Sequence, residues 1–252
     1  MKIGIIGGSG LDRFGDMKTV RRQSVRTPYG DPSCPLTIGE IDGIELVFLA
    51  RHGDGHAIAP HEINYRANIW ALDHLGVDSV ISIATVGGIG EHLGPGALVL
   101  PDQIIDYTSG RAATFFEGPG QPVTHIDFTW PYDESVRRLL AAAAAGLGEP
   151  LIGQGTYGCA QGPRLETAAE IRRMARDGCD LVGMTGMPEA ALARELGLPY
   201  AMLAVVVNHA AGMGDSSQGI SLQAITAILE STMMRVRNIL SLLVRQAAST
   251  TG

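Results

Sequence analysis

The sequence predicts an α/β fold: one domain over residues 1–252, built on a mostly parallel, mixed central sheet flanked by helices. Three observations predict it. Short apolar, β-branched runs alternate with segments of helical periodicity, the order that lays helices over a parallel sheet. Hydrophobic residues make up 45% and glycines number 33, which suits strands buried on both faces and joined by tight turns. No Ser/Gly-rich run, charge block or internal repeat divides the chain, and roughly 200–250 residues is an ordinary size for one α/β sheet.

The elements follow in order. Lys2–Ile6 is a short apolar strand that runs into Gly7-Gly8-Ser9-Gly10. Leu36–Ile41 and Leu46–Ala50 flank Asp42-Gly43, a hairpin signal. Glu62–Leu75 places Ile63, Ala67, Trp70, Ala71 and Leu75 on one helical face. Ser79–Ala84 reads as a strand closed by Thr85-Val86-Gly87-Gly88, and Ala97–Leu100 as another, stopped by Pro101. Glu134–Leu147 is helical, its Ala141–Ala145 run made of the best helix former. Gly155–Ala160 is a strand, Glu166–Arg176 a helix, Asp180–Met184 a strand, and Pro188–Leu196 a helix with proline in its first turn. Tyr200–Val207 is the most hydrophobic strand, and Ser221–Arg245 is a long closing helix.

Composition excludes several classes. The formal charge is −7 and the basic pairs Arg21-Arg22 and Arg172-Arg173 stand isolated, so no nucleic-acid partner is expected. Cys34, Cys159 and Cys179 are odd in number and lack CxxC spacing, which indicates neither a disulfide framework nor a zinc site. His56, His61, His74 and His92 lack metal-ligand spacing with carboxylates and read as surface or packing residues, so no metal is expected. There is no signal-peptide pattern and no apolar run approaching the roughly 20 residues of a membrane span. A cytoplasmic protein without a membrane partner is the expectation.

Polar residues collect where strands end, which is where open α/β sheets bind ligands. The Gly7–Gly10 turn departs from the dinucleotide pattern, because Arg13 stands where its last glycine belongs, and no Gly-Lys-Ser/Thr follows to make a P-loop. What remains is either a tight turn or an anion nest of backbone N–H groups with the Ser9 hydroxyl. Arg51 offers a planar fork that matches phosphate oxygens, with His52 beside it. Thr85 and Thr185 each sit just past a strand, where a hydroxyl donates to an oxyanion. At the end of the apolar run Val205-Val206-Val207 stands Asn208, an amide that is costly to bury unless something pairs with it.

Gly4-Ile-Ile-Gly-Gly-Ser-Gly-Leu11, Thr27-Pro-Tyr-Gly-Asp-Pro-Ser33, Ala50-Arg-His-Gly53, Asn64-Tyr-Arg-Ala-Asn-Ile-Trp-Ala71, Gly162-Pro-Arg164 and Gly183-Met-Thr-Gly-Met-Pro-Glu189 stand in order along the chain. On these motifs the whole chain resembles the trimeric purine nucleoside phosphorylase and methylthioadenosine phosphorylase family. Ile105-Asp-Tyr-Thr-Ser-Gly-Arg111, Val123-Thr-His-Ile-Asp-Phe128 and Val207-Asn208 resemble its branch of bacterial S-methyl-5′-thioinosine phosphorylases. The resemblance implies a single nucleoside phosphorylase-like domain and a pentosyltransferase of purine salvage. Phosphate would attack the anomeric carbon of a purine nucleoside, giving free base and a pentose 1-phosphate. By the same resemblance Ser9, Arg51, His52, Thr85 and Thr185 match the phosphate site and Met184 lies against the ribose. Leu165 stands where the family usually has phenylalanine at the base, and Glu166 and Asn208 match the base-recognition pair. The implied assembly is a homotrimer or a dimer of trimers with shared active sites, His125 lying in a segment that reaches a neighbouring subunit. Inorganic phosphate is the implied co-substrate, with no cofactor.

The base pair of residues discriminates. Adenine-specific members carry aspartate where this chain has Asn208, and a second family aspartate is Ala210 here. An amide supplies N–H to a six-position carbonyl, and the Glu166 carboxylate accepts the ring N–H that 6-oxopurines have and adenine lacks. A site built for one hydrogen-bond pattern rejects the other by roughly 10⁴ in favourable cases. In ordinary purine nucleoside phosphorylases a histidine past the asparagine holds the 5′-hydroxyl. This chain has Gly219-Ile-Ser-Leu222 there, so Ile220 or Leu222 would face a methylthio group. The expected substrate is S-methyl-5′-thioinosine, with inosine or guanosine the alternative and methylthioadenosine behind both. A nucleotide-binding oxidoreductase fits the glycine turn badly, and a non-catalytic nucleoside binder would not need the phosphate residues.

Overall fold

The computed structural model describes residues 1–8 and 17–250, which form one ten-stranded mixed sheet with helices on both faces. In chain order the strands are β1 (Lys2–Gly7), β2 (Lys18–Gln23), β3 (Leu36–Ile41), β4 (Ile44–Ala50), β5 (Ser79–Gly88), β6 (Leu98–Val99), β7 (Gln103–Asp106), β8 (Thr156–Cys159), β9 (Leu181–Gly183) and β10 (Tyr200–His209). The helices are α1 (Tyr65–His74), α2 (Glu134–Gly146), α3 (Ala168–Asp177), α4 (Gly186–Glu195) and α5 (Leu222–Thr250). Strand β1 runs parallel between β4 and β5, and β10 runs parallel on β5. A second parallel set, β7–β8–β9, joins through an antiparallel contact of β9 with β5.

Strand alternation sorts the central residues into two cores. In β10, Met202, Ala204 and Val206 pack in the same core as Ile69 and Leu72 of α1 and Ala190 and Leu192 of α4. Ala201, Leu203, Val205 and Val207 pack in the other, with Val136 and Leu140 of α2 and Val236, Ile239 and Leu240 of α5. Strand β5 divides likewise: Val80, Ala84 and Val86 on the first side, Ile81 and Ile83 on the second. That double burial is why both strands read as unbroken apolar runs in the sequence.

Local signals account for most boundaries. Asp42 and Gly43 both have positive φ, 47° and 83°, the backbone that a tight β3–β4 hairpin requires. Asn64 accepts from the Ala67 N–H to open α1. Thr167 and Glu170 form a reciprocal capping box at α3, and Gly178 closes it at φ 94°. Elsewhere the structure departs from expectation. Strand β2 is too polar to read as a strand and survives by pairing antiparallel with β3. Strand β7 was hidden behind Pro101, yet pairs parallel with β8. The segment Thr85-Val86-Gly87-Gly88, expected to be a turn, continues β5, because β9 and β10 both pair with Gly87 and Gly88.

This continuation needs glycine for space. A Cβ on Gly88 would stand 1.9 Å from the Leu93 carbonyl oxygen, a backbone atom that cannot swing away. Gly88→Ala is therefore expected to cost about 1–3 kcal/mol through overpacking. Urea unfolding measures it, and a wild-type midpoint would refute the crowding.

Candidate functional site

A cavity of about 480 Å³ opens where β1, β4, β5, β9 and β10 give out. Such a site is the expected one for ligands of an open α/β sheet. Arg51, His52, Thr85, Thr185, Leu165, Glu166, Met184, Asn208 and Ile220 all line it, drawn from sequence positions as far apart as 51 and 220. Ser9 lies outside the described residues, while Gly8 from the same turn lines the cavity.

Two expected residues are not brought there. Leu222 is 70% exposed at the start of α5 and lines no part of the cavity. Ile225 lines it instead, one helical turn further on. His125 is exposed, in a surface stretch without helix or strand, and within one chain it also stands outside the cavity.

Arg51 needs a different description from the one its sequence suggests. Its guanidinium is buried and forms a bidentate pair with Glu189 of α4: Nε donates to Oε2 at 2.7 Å and Nη2 to Oε1 at 2.9 Å. Nη2 also donates to Ser82 Oγ at 2.5 Å, and Nη1 to the Ile83 carbonyl at 3.0 Å. Those bonds use four of five N–H groups, so one Nη1 N–H remains for a ligand rather than the whole fork. The Nη1 atom lies beside Gly8, 3.2 Å from where a Cβ on that glycine would stand. Ser82 and Tyr200 both donate to Glu189 Oε1 at 2.8 Å, completing a network that joins β4, β5, β10 and α4. Burial works against the Arg51 charge, yet the carboxylate of Glu189 holds its pKa above the ordinary arginine value. Sequence reasoning quoted the motif containing Glu189 without seeing this role. The available signal was an acid set among apolar residues in the first half of the helix, in a chain that also held a strand-end arginine needing a counter-charge.

His52 brings its Nδ1 to 2.8 Å from the Ile58 carbonyl. Desolvation, reinforced by the neighbouring Arg51 charge, pushes its pKa down to about 4. The neutral ring then donates Nδ1–H to Ile58 and keeps Nε2 as an acceptor, so His52 is a site for a protonated oxygen rather than a standing donor. His56, expected from the sequence to be a surface or packing residue, sets its ring against it at a 36° tilt with centroids 4.2 Å apart and also lines the cavity. Thr185 is 7% exposed and serves as the residue before α4, but its side chain makes no cap bond to the helix. Thr185 lines the cavity beside Tyr157, and regular helix geometry begins only after the kink at Met187, whose N–H is held by Cys159 Sγ.

The other half of the cavity is built by the 162–166 loop and the end of β10. Met184 Sδ packs over Gly162, only 2.5 Å from where a Cβ would project at that φ of +63°. Leu165 is 44% exposed. Glu166 stands just ahead of α3, and its Oε1 is buried without a hydrogen-bond partner. Burial raises its pKa; Glu170 adds to that, while its own backbone N–H and Arg164 oppose it. In β10 the pairing slips between Val206 and Asn208, a bulge at the point where Asn208 meets the cavity. Asn208 Nδ2 donates to the His209 carbonyl at 2.6 Å, which leaves one N–H and Oδ1 for a ligand.

Known proteins resemble this chain over most of its length. A family model described as the phosphorylase superfamily matches residues 2–245. A "probable S-methyl-5′-thioinosine phosphorylase" of Xanthomonas campestris pv. campestris is 54% identical over 216 residues, covering 86% of each chain. A 6-oxopurine nucleoside phosphorylase of Pyrococcus furiosus is 50% identical over 217 residues, covering 84% of this chain and 81% of its own. Among solved structures, a methylthioadenosine phosphorylase of Schistosoma mansoni in complex with adenine superposes with a TM-score of 0.94 at 33% identity, covering 99% of this chain and 92% of that one.

The buried network carries a measurable load. Glu189→Ala leaves the Arg51 charge without a counter-ion, which is expected to destabilise the protein by about 3–5 kcal/mol. Chemical denaturation reads this directly. A loss below about 1 kcal/mol, the range of exposed pairs, would show that the pair does not hold the site together.

Proposed function

The chain belongs to the phosphorylase superfamily, and from that premise we propose that it cleaves 6-oxopurine nucleosides with inorganic phosphate. The preferred reaction in this reading is S-methyl-5′-thioinosine plus phosphate to hypoxanthine plus 5-methylthioribose 1-phosphate, a pentosyl transfer of purine salvage. The observation that carries it is the presence of Glu166 and Asn208 in one cavity, with Glu166 Oε1 buried without a partner. An ionised carboxylate is the acceptor that a ring N–H requires, and the free Asn208 N–H suits a six-position carbonyl. The relatives at 54% and 50% identity, named for methylthioinosine and for 6-oxopurine nucleosides, support the same base class.

Phosphate is the co-substrate in this reading, and no cofactor is needed. The Thr185 and Thr85 hydroxyls and the last Arg51 N–H surround the anion, and His52 Nε2 accepts from its protonated oxygen. A phosphate oxygen bonds to the anomeric carbon as the bond from that carbon to the purine breaks. The electron pair of the broken bond leaves with the base. Asn208 stabilises the charge that develops on the departing purine, and the anion stabilises the cationic sugar, so catalysis rests on placed charges. Met184 lies against the ribose and Leu165 against the base. Ile220 and Ile225 give the remaining wall an apolar character that suits a methylthio group and leaves a 5′-hydroxyl unpaired, at a cost of about 1–3 kcal/mol. General turnover of inosine and guanosine is the second reading, favoured by the name of the Pyrococcus furiosus relative.

We further infer a homotrimer in the cytoplasm, where the exposed segment bearing His125 would reach a neighbouring cavity. Among the described residues no helix is long and apolar enough to cross a membrane.

The decisive test crosses 6-oxo with 6-amino bases and 5′-methylthio with 5′-hydroxyl sugars, with and without phosphate. Turnover is expected only with phosphate, with methylthioinosine giving the highest kcat/KM. Phosphate-independent turnover would remove phosphorolysis, and a higher kcat/KM for inosine would hand the reading to the general enzyme. Asn208→Asp is expected to lower kcat/KM for 6-oxopurines by roughly tenfold or more, since an acceptor replaces the donor facing the carbonyl. Unchanged kinetics would remove that role.

A further inference from the structure

We propose that Glu166 makes the base choice of this cavity with a proton: its carboxylate admits only 6-oxopurine nucleosides, whereas its neutral acid also admits 6-aminopurine nucleosides as a second substrate class. This rests on the phosphorolytic reading above and deepens it.

The geometry isolates Glu166 as the discriminating group. Asn208 keeps both an N–H and Oδ1 free, so its amide offers a donor and an acceptor and does not by itself separate an oxo from an amino group. Glu166 has no such balance. As a carboxylate it only accepts, and the ring nitrogen next to a six-amino group carries a lone pair, so two acceptors would face each other. As a neutral acid it donates O–H to that nitrogen and accepts from the amino group through its carbonyl. The same acid also serves a 6-oxopurine, accepting the ring N–H and donating to the carbonyl. Protonation therefore relaxes selectivity without reversing it.

The surroundings leave the proton free to choose. Glu166 lies in the wall between the main cavity and a second one of about 480 Å³, and its buried Oε1 has no partner. Arg164, two residues away, is held in a bidentate pair with Glu170 at 2.7 and 2.8 Å. Arg173 of α3 lies over the Tyr107 ring and pairs with Asp177, and Asp106 accepts the Thr108 N–H. On the main-cavity side Arg51 is paired with Glu189, and the His52 ring lies against that of His56. Each charged neighbour is thus engaged elsewhere, and none forms a salt bridge with the carboxylate. Burial raises the Glu166 pKa, which enlarges the neutral fraction at any given pH relative to a solvated glutamate.

The test follows the ratio of kcat/KM for methylthioadenosine to that for methylthioinosine, from about pH 8 to about pH 5 at saturating phosphate. The ratio cancels titration of phosphate and of His52, which act on both substrates alike. It is expected to rise as pH falls, by up to about tenfold per unit while the pH stays above the Glu166 pKa, because the competent fraction rises in that proportion. In Glu166→Gln, which always carries a donor and an acceptor, the ratio is expected to be flat and to exceed the wild-type value at the alkaline end. A flat wild-type ratio, or the same slope in Glu166→Gln, would overturn the proposal while leaving 6-oxopurine phosphorolysis standing. Absence of 6-oxopurine turnover at every pH would overturn both. Calorimetry on the wild-type protein adds a readout that needs no variant: at neutral pH adenine binding should take up a proton, seen through buffer ionisation heats, and hypoxanthine binding should not. Equal proton uptake for the two bases would refute the mechanism.

Discussion

The buried pair between Arg51 and Glu189 is the interaction on which the site depends. Neither charge is stable in an apolar interior alone, so each requires the other and a full set of hydrogen bonds around it. Ser82 and Tyr200 supply those bonds on the acidic side, and the Ile83 carbonyl helps on the basic side. The pair thereby fixes the end of β4 and the middle of β5 against the start of α4. Those are the elements that carry His52, Thr85 and Thr185. A site whose parts come from chain positions more than a hundred residues apart acquires its geometry from one ionic contact, with the sheet as its frame.

The same contact changes how charge is distributed in the cavity. With the guanidinium mostly satisfied internally, the corner proposed to hold the anion has neutral hydroxyls and one residual N–H. His52 is held neutral beside it by burial and by the arginine charge. Opposite, the corner that would read a base has a carboxyl with one buried, unpartnered oxygen and a half-engaged amide. The two ends of the cavity thus differ in kind. One is pre-satisfied and rigid; the other leaves its polar atoms open for a ligand to complete.

Much of this was legible in the sequence, for identifiable reasons. Strands β5 and β10 announce themselves because both faces are buried, and the Asp42-Gly43 turn because its backbone demands those residues. Asn208 stood out because a polar group at an apolar strand end needs a partner, and Glu166 because the family resemblance matches it to the base-recognition pair. What stayed hidden depends on the third dimension. Glu189 looked like one more helical residue until folding set it against Arg51 across 138 positions. Strand β2 has no apolar alternation of its own, and β7 follows a proline, so only their neighbours make them strands. Ile225 replaced Leu222 because which side of α5 meets the cavity depends on how the whole helix is docked.

Helix α5 spans 29 residues, a rod of roughly 43 Å at 1.5 Å per residue, yet its two ends live in different surroundings. From Met233 onward Val236, Ile239, Leu240 and Leu243 are sunk in the core beneath the sheet. Its first turns are mostly exposed, and they include Ile225 at the cavity wall. A helix anchored at one end and solvated at the other does not pivot as a rigid lever. It opens by unwinding from its free end, since that is where the fewest contacts must be broken. The wall beside the cavity is therefore the part of α5 with the lowest local opening energy, and amide exchange along the helix should grade from fast at the rim to slow beneath the sheet.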